Sequence, residues 1–123
     1  MGVLNLTPDS FHAASRVDSL ESAVAMASRM ADDGADWIDI GAESTRPGAS
    51  TVDPEEEARR AVPVVEAVRS ALPEMCISID TRRESVARAA LDAGADMVND
   101  VSALSDQQMA DLVAQRGCPV CIM

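Results

Sequence analysis

Short runs of almost unbroken apolar residues recur five times along this chain, with a segment of helical period between each and the next, and this alternation limits the possible folds more than any other feature. The runs lie at Gly2 to Asn5, Asp36 to Gly41, Cys76 to Asp80, Asp96 to Val101 and Cys118 to Met123. They are strand-sized, and they are near-continuous rather than alternating, as parallel strands buried on both faces require. The four intervening patterns carry helix-start signals: Asp18 with Glu21, Asp53 with Pro54 and Glu56, Thr81 with Glu84, and Ser105 with Gln108. A side chain that accepts from orphan N–H groups, placed three residues before an acid or amide, is how a helix begins. Three of these helices are expected to stop at Gly34, Gly94 and Gly117.

An internal echo supports a repeating unit. Gly34-Ala35-Asp36-Trp37-Ile38-Asp39 returns as Gly94-Ala95-Asp96-Met97-Val98-Asn99, the spacing of two roughly thirty-residue βα units. The order βαβαβαβαβ predicts an α/β chain, with five parallel strands and four helices forming the N-terminal part of a (β/α)8 TIM barrel. A complete barrel usually takes about 250 residues, and the chain has 123. An open doubly wound sheet is the alternative, weakened because no glycine-rich dinucleotide loop follows any strand.

Bulk composition excludes several classes. No apolar run approaches the roughly 20 residues of a membrane span, and nothing at the start reads as a secretory signal, so a cytoplasmic protein is expected. With 21 acidic and 10 basic residues, all of the latter Arg, the net charge is −11. Such a field repels nucleic acid and anionic membranes, and neither is expected as a partner. An anionic substrate would need local cations, a metal ion or helix N-termini. Cys76, Cys118 and Cys121 are an odd count, against a disulfide framework. Cys118-Pro119-Val120-Cys121 has C-x-x-C spacing but opens an apolar run, and buried apolar thiols are expected rather than a redox pair.

Three polar segments sit where strands should end. Asn5-Leu6-Thr7-Pro8-Asp9-Ser10-Phe11 follows the first run, Glu43-Ser44-Thr45-Arg46-Pro47-Gly48 the second, and the third closes on Ile79-Asp80-Thr81. In a parallel barrel these are the βα loops, where catalytic groups gather. A guanidinium beside a hydroxyl on a Pro-Gly turn suits phosphate or carboxylate. A carboxylate closing an apolar strand must be paired or functional, because isolated buried charge is expensive; for Asp80 the plainer alternative is a cap on the following helix.

Together these segments resemble dihydropteroate synthase, the folate-pathway family that joins a pterin diphosphate to 4-aminobenzoate with loss of diphosphate. The resemblance implies that Asn5 binds a magnesium ion, that Phe11 covers the aminobenzoate ring, and that Thr45 binds the pterin diphosphate. It implies that Arg46 and Pro47 close on aminobenzoate, and that Asp80 and Asn99 are the catalytic pair that contacts the pterin. A carboxylate and an amide suit an aminopyrimidinone edge, the amide offering both a donor and an acceptor. Asp39, the repeat-equivalent of Asn99, is read as structural, and Arg59 and Arg60 as solvated helix charges. The resemblance further implies a homodimer in the full-length form.

The chain departs from the family at His12-Ala13-Ala14-Ser15-Arg16, where the family continues Ser-Asp-Gly-Gly. His12, the only histidine, is open between bystander and base. Later family strands supply a further Asp, a Lys and an Arg-x-His group, none of them in these residues, so the chain alone is expected to be inactive. Two alternatives are a pterin-binding methyltransferase acting on a methyl-folate and a corrinoid, and a catalytically silent fragment.

Overall fold

In the computed structural model the described residues are 1–6, 16–41 and 53–123, with the backbone alone described at 16–19. Strand and helix alternate as β1 (Gly2–Asn5), α1 (Arg16–Asp32), β2 (Trp37–Gly41), α2 (Pro54–Ala71), β3 (Cys76–Asp80), α3 (Glu84–Asp92), β4 (Met97–Asp100), α4 (Gln107–Arg116) and β5 (Val120–Ile122). The five strands form one sheet in the order β1-β2-β3-β4-β5, and every neighbouring pair is parallel. A doubly wound sheet reverses its strand order at a switch point. No reversal occurs here. Successive helices also pack against one another, α1 on α2, α2 on α3 and α3 on α4, so they line one face of the sheet as in a barrel wall.

Strand parity divides the sheet. Leu4, Ile38, Ile40, Ile77, Ile79 and Val98 are buried in one core cluster with the inward residues of the helices. On α2 those are Ala61, Val64, Val65 and Val68, the spacing of one helical face. Fully burying an Ile or Val contributes roughly 1.5–3 kcal/mol, so this layer supplies the main driving force. The alternate residues, Val3, Asn5, Asp39, Gly41, Ser78, Asp80, Met97 and Asn99, turn to the opposite face. In a (β/α)8 barrel that face is the interior.

The internal echo is a repeated helix-to-strand turn. Ala35 N donates to Met30 O and Ala95 N to Ala90 O, each over 2.9 Å. Gly34 at φ 92° and Gly94 at φ 111° hold the left-handed step between helix and strand. At the second turn Arg69 adds a clamp. It donates to Gly94 O at 2.9 and 3.0 Å, to Pro73 O at 2.7 Å and to Met75 O at 2.8 Å, and pairs with Asp96 Oδ2 at 2.5 Å. Asp96 Oδ2 also accepts from Ile77 N at 2.8 Å. These contacts join the turns at the N-terminal end of the sheet, the end that stabilises rather than reacts.

Several local expectations are corrected. β2, β4 and β5 are shorter than the apolar runs. Asp36 and Asp96 belong to the turns set by the glycines, Pro119 has no N–H to extend β5, and Val101 enters a turn containing Ala103 and Leu104 at φ 57° and 56°. α1 begins at Arg16, ahead of the proposed Asp18 start. Asp53 caps α2 as expected, accepting from Glu55 N at 2.9 Å. Asp106, not Ser105, caps α4, accepting from Gln108 N at 3.0 Å. Helix α3 has Arg83 at its N-cap with no side-chain cap; Thr81, the expected start, lies two residues earlier and accepts from Arg83 N at 3.2 Å. Arg59 is exposed, but Arg60 is largely covered and pairs with Glu56 at 2.8 Å. The thiols are not buried: Cys121 is exposed, and Cys76 and Cys118 are half-buried. Among the described residues no helix is long and apolar enough to cross a membrane.

Candidate active site

The strands end in a line. In the sheet register Asn5 pairs with Gly41, Gly41 with Asp80, Asp80 with Asn99, and Asn99 with Cys121, so these five residues form one row across the inner face. Asn5, Gly41 and Asp80 are each the last residue of their strand, which places the row at the C-terminal mouth of the sheet. Three of the residues expected to act, Asn5, Asp80 and Asn99, are thus brought together from sequence positions far apart. Phe11, Thr45, Arg46 and Pro47, with His12, lie outside the described residues.

Gly41 keeps the row open. A Cβ there would stand 3.5 Å from Asp80 Oδ2 and 3.7 Å from Asn5 Oδ1, filling the gap between these oxygens. The bare Cα therefore leaves a cradle bordered by an amide oxygen and a carboxylate, both hard donors of the kind that suit magnesium. Among the described residues no three His, Cys, Asp or Glu side chains gather closely enough to hold a metal between them.

One layer deeper, Asp39 and Ser78 are register partners on β2 and β3, and both are buried. Asn99 Nδ2 reaches diagonally across β3 and donates to Asp39 Oδ2 over 3.1 Å. On the intervening strand the register partners of the two ends are Ser78, beside Asp39, and Asp80, beside Asn99. Asp39 was expected only to support the strand, yet it touches a candidate ligand-binding side chain. Among the described residues, Asp39 Oδ1, Asn99 Oδ1 and Ser78 Oγ are buried without a hydrogen-bond partner. Leaving one such group unpaired costs about 1–3 kcal/mol, and three in one patch mark a surface built to receive polar atoms.

Loops around the row are held by buried charge that the residue patterns did not flag. Thr81 Oγ1, just after Asp80, donates to Glu57 Oε1 at 2.6 Å and accepts from Arg83 N at 3.2 Å. Glu57 is fully buried and pairs through Oε2 with Arg83 Nε at 2.9 Å. Its place was legible, since it shares a helical face with Ala61, Val64, Val65 and Val68. After Asn99, buried Asp100 accepts from Ser102 N at 2.8 Å and Leu104 N at 3.0 Å, holding the left-handed turn at Ala103 and Leu104.

A row of Asn, Asp and Asn thus stands at the mouth of a parallel sheet, beside buried polar atoms without partners among the described residues. The family model for pterin binding enzymes matches residues 1–123. The chain belongs to the pterin-binding enzyme family.

Pterin-binding enzymes similar to it carry a more specific description. A probable bifunctional folylpolyglutamate synthase/dihydropteroate synthase of Haloferax volcanii is 50% identical over 123 residues, all of this chain and 14% of that protein. The structure of Xanthomonas albilineans dihydropteroate synthase with 4-aminobenzoic acid superposes with a TM-score of 0.86 at 47% identity, covering 97% of this chain and 44% of that one. Dihydropteroate synthase from Anaplasma phagocytophilum, with bound 6-hydroxymethylpterin monophosphate, gives a TM-score of 0.88 at 36% identity over 97% of this chain and 46% of that one. The chain thus spans less than half the length of each relative, and its fold is that of the N-terminal portion of the dihydropteroate synthase TIM barrel.

Proposed function

We propose that these residues form the pterin-binding part of a dihydropteroate synthase. The reaction condenses (7,8-dihydropterin-6-yl)methyl diphosphate with 4-aminobenzoate, yielding 7,8-dihydropteroate and diphosphate. The reading is carried by the row that sets Asp80 and Asn99 side by side at the strand ends, over the partnerless buried oxygens of Asp39, Ser78 and Asn99. An aminopyrimidinone edge supplies the N–H groups that such oxygens lack. The relatives described with 4-aminobenzoic acid and with 6-hydroxymethylpterin monophosphate support both halves of the substrate pair.

In this reading Asp80 and Asn99 bind and orient the pterin so that its methylene carbon faces the aminobenzoate nitrogen, the proximity that makes displacement effectively intramolecular. Buried surroundings strengthen those contacts by excluding water. Thr45 binds the diphosphate, while Phe11, Arg46 and Pro47 close over aminobenzoate. Asn5, beside the cradle left by Gly41, would hold magnesium, which when bound offsets charge on the departing diphosphate. A homodimer in the cytoplasm completes the proposal, and sedimentation of the purified whole protein tests the dimer.

Calorimetric titration of the whole protein with 6-hydroxymethylpterin monophosphate tests the function. Asp80→Ala and Asn99→Ala should each weaken binding by roughly 1–3 kcal/mol, the cost of an unpaired buried polar partner. Unchanged affinity in both variants would remove the pterin pocket from this row.

A further inference from the structure

The Asn99 amide has two faces, and Asp39 has only one kind of atom to offer it. A carboxylate accepts hydrogen bonds and donates none, so the amide nitrogen, not the oxygen, must face Asp39. The observed contact, Asn99 Nδ2 to Asp39 Oδ2 at 3.1 Å, has that polarity. Asp39 is 4% exposed and therefore cannot swing away into water to release the amide. Turning the amide over would set its oxygen against a buried carboxylate and leave both acceptors without a donor, a cost charged to the low local dielectric. With one N–H committed to Asp39 the position of Asn99 Oδ1 is set, and that oxygen is buried with no hydrogen-bond partner among the described residues.

We infer that Asp39 is a positioning residue for substrate recognition: its carboxylate locks the Asn99 amide so that the site presents a hydrogen-bond acceptor, and only a ring edge bearing an N–H at that point is accepted. This rests on the pterin-binding reading above and sharpens it. The sequence pattern left the orientation of the Asn99 amide open; the bridge across β3 occupies one of its two N–H groups and fixes which way its oxygen faces.

A polarity swap tests this in the whole protein, with 6-hydroxymethylpterin monophosphate as the probe and fluorescence titration as the readout. Asp39→Asn lets the Asn99 amide take either orientation, and affinity should fall by roughly tenfold, while the urea midpoint of unfolding stays near that of the parent. Asn99→Asp sets two carboxylates together and should lose more. The double variant Asp39→Asn/Asn99→Asp rebuilds the bridge with its polarity reversed and still turns an acceptor to the ligand, so affinity should return to within about threefold of the parent. Parent-like binding by Asp39→Asn, or a double variant no better than the worse single one, would overturn the positioning role. If Asp39→Asn fails to fold, the double variant decides alone: recovery supports the role and loss overturns it. If neither folds, the pair serves the fold and the role is overturned. A parent protein that does not bind the probe overturns the pterin reading itself, and the positioning role with it; a parent that binds while the swap shows no coupling overturns only the role of Asp39.

Discussion

Thr81 donates its hydroxyl to Glu57 over 2.6 Å, joining the end of β3 to the first turn of α2. The contact fixes the chain immediately after Asp80, and Arg83 secures the same carboxylate from the other side at 2.9 Å. Because Glu57 is fully buried, the ion pair and the hydroxyl stand or fall together. Glu57→Ala is expected to cost about 1–3 kcal/mol, since it removes the buried acceptor of the Thr81 hydroxyl and one ionic contact of Arg83. Glu57→Gln retains an acceptor for Thr81 and should cost less. Urea unfolding of the whole protein ranks the two variants, and equal midpoints for Glu57→Ala and the parent would make the network incidental.

Gly41 separates Asn5 Oδ1 from Asp80 Oδ2. The substitution Gly41→Ala meets only ordinary van der Waals distances of 3.5 to 3.7 Å, so the fold should tolerate it. A methyl group would nevertheless occupy the cradle. We expect the melting temperature to hold or rise slightly, since Ala in a strand is favoured over Gly by roughly 0.5–1 kcal/mol. Turnover should fall, and an active Gly41→Ala variant would show that nothing enters that gap.

Asn5 stands at the end of β1 with its side-chain oxygen bordering the same cradle. If it ligates magnesium, Asn5→Ala should raise the magnesium concentration needed for half-maximal rate, with pterin affinity in the absence of metal little changed. A magnesium profile matching the parent would reassign Asn5 to the turn after β1.

The 123 residues alone are expected to form no dihydropteroate above background. Among the described residues β1 and β5 border the sheet with no further strand beside them, and Val3 and Ile122 are more than half exposed. Unpaired strand edges of this kind invite self-association rather than turnover. Product formation that scales with the concentration of the purified chain, free of any longer synthase, would contradict this.

What could be read from the residues alone was local. Runs such as Ile77-Ser78-Ile79 and the periodic face of α2 follow from backbone geometry and apolar burial, which depend on neighbours a few positions away. The turns at Gly34, Gly94 and Gly117 were legible for the same reason, because a positive φ selects glycine whatever the rest of the chain does. The strand-end positions of Asn5 and Asp80 followed from the motifs and the βα order together.

Tertiary structure decided the partnerships. Thr81 had a good helix-start signature, yet the N-cap of α3 falls at Arg83, and Thr81 instead accepts from Arg83 N and donates to buried Glu57, 24 residues earlier. Asp106 rather than Ser105 caps α4, its carboxylate accepting from Gln108 N. Asp39 and Asn99 are 60 residues apart, and nothing in either segment indicates a bond between them. Their contact exists because parallel pairing sets β2 and β4 on either side of β3. Propensity acts between near neighbours in the chain, whereas the choice among hydrogen-bond partners is made by desolvation and distance, which only the folded sheet defines.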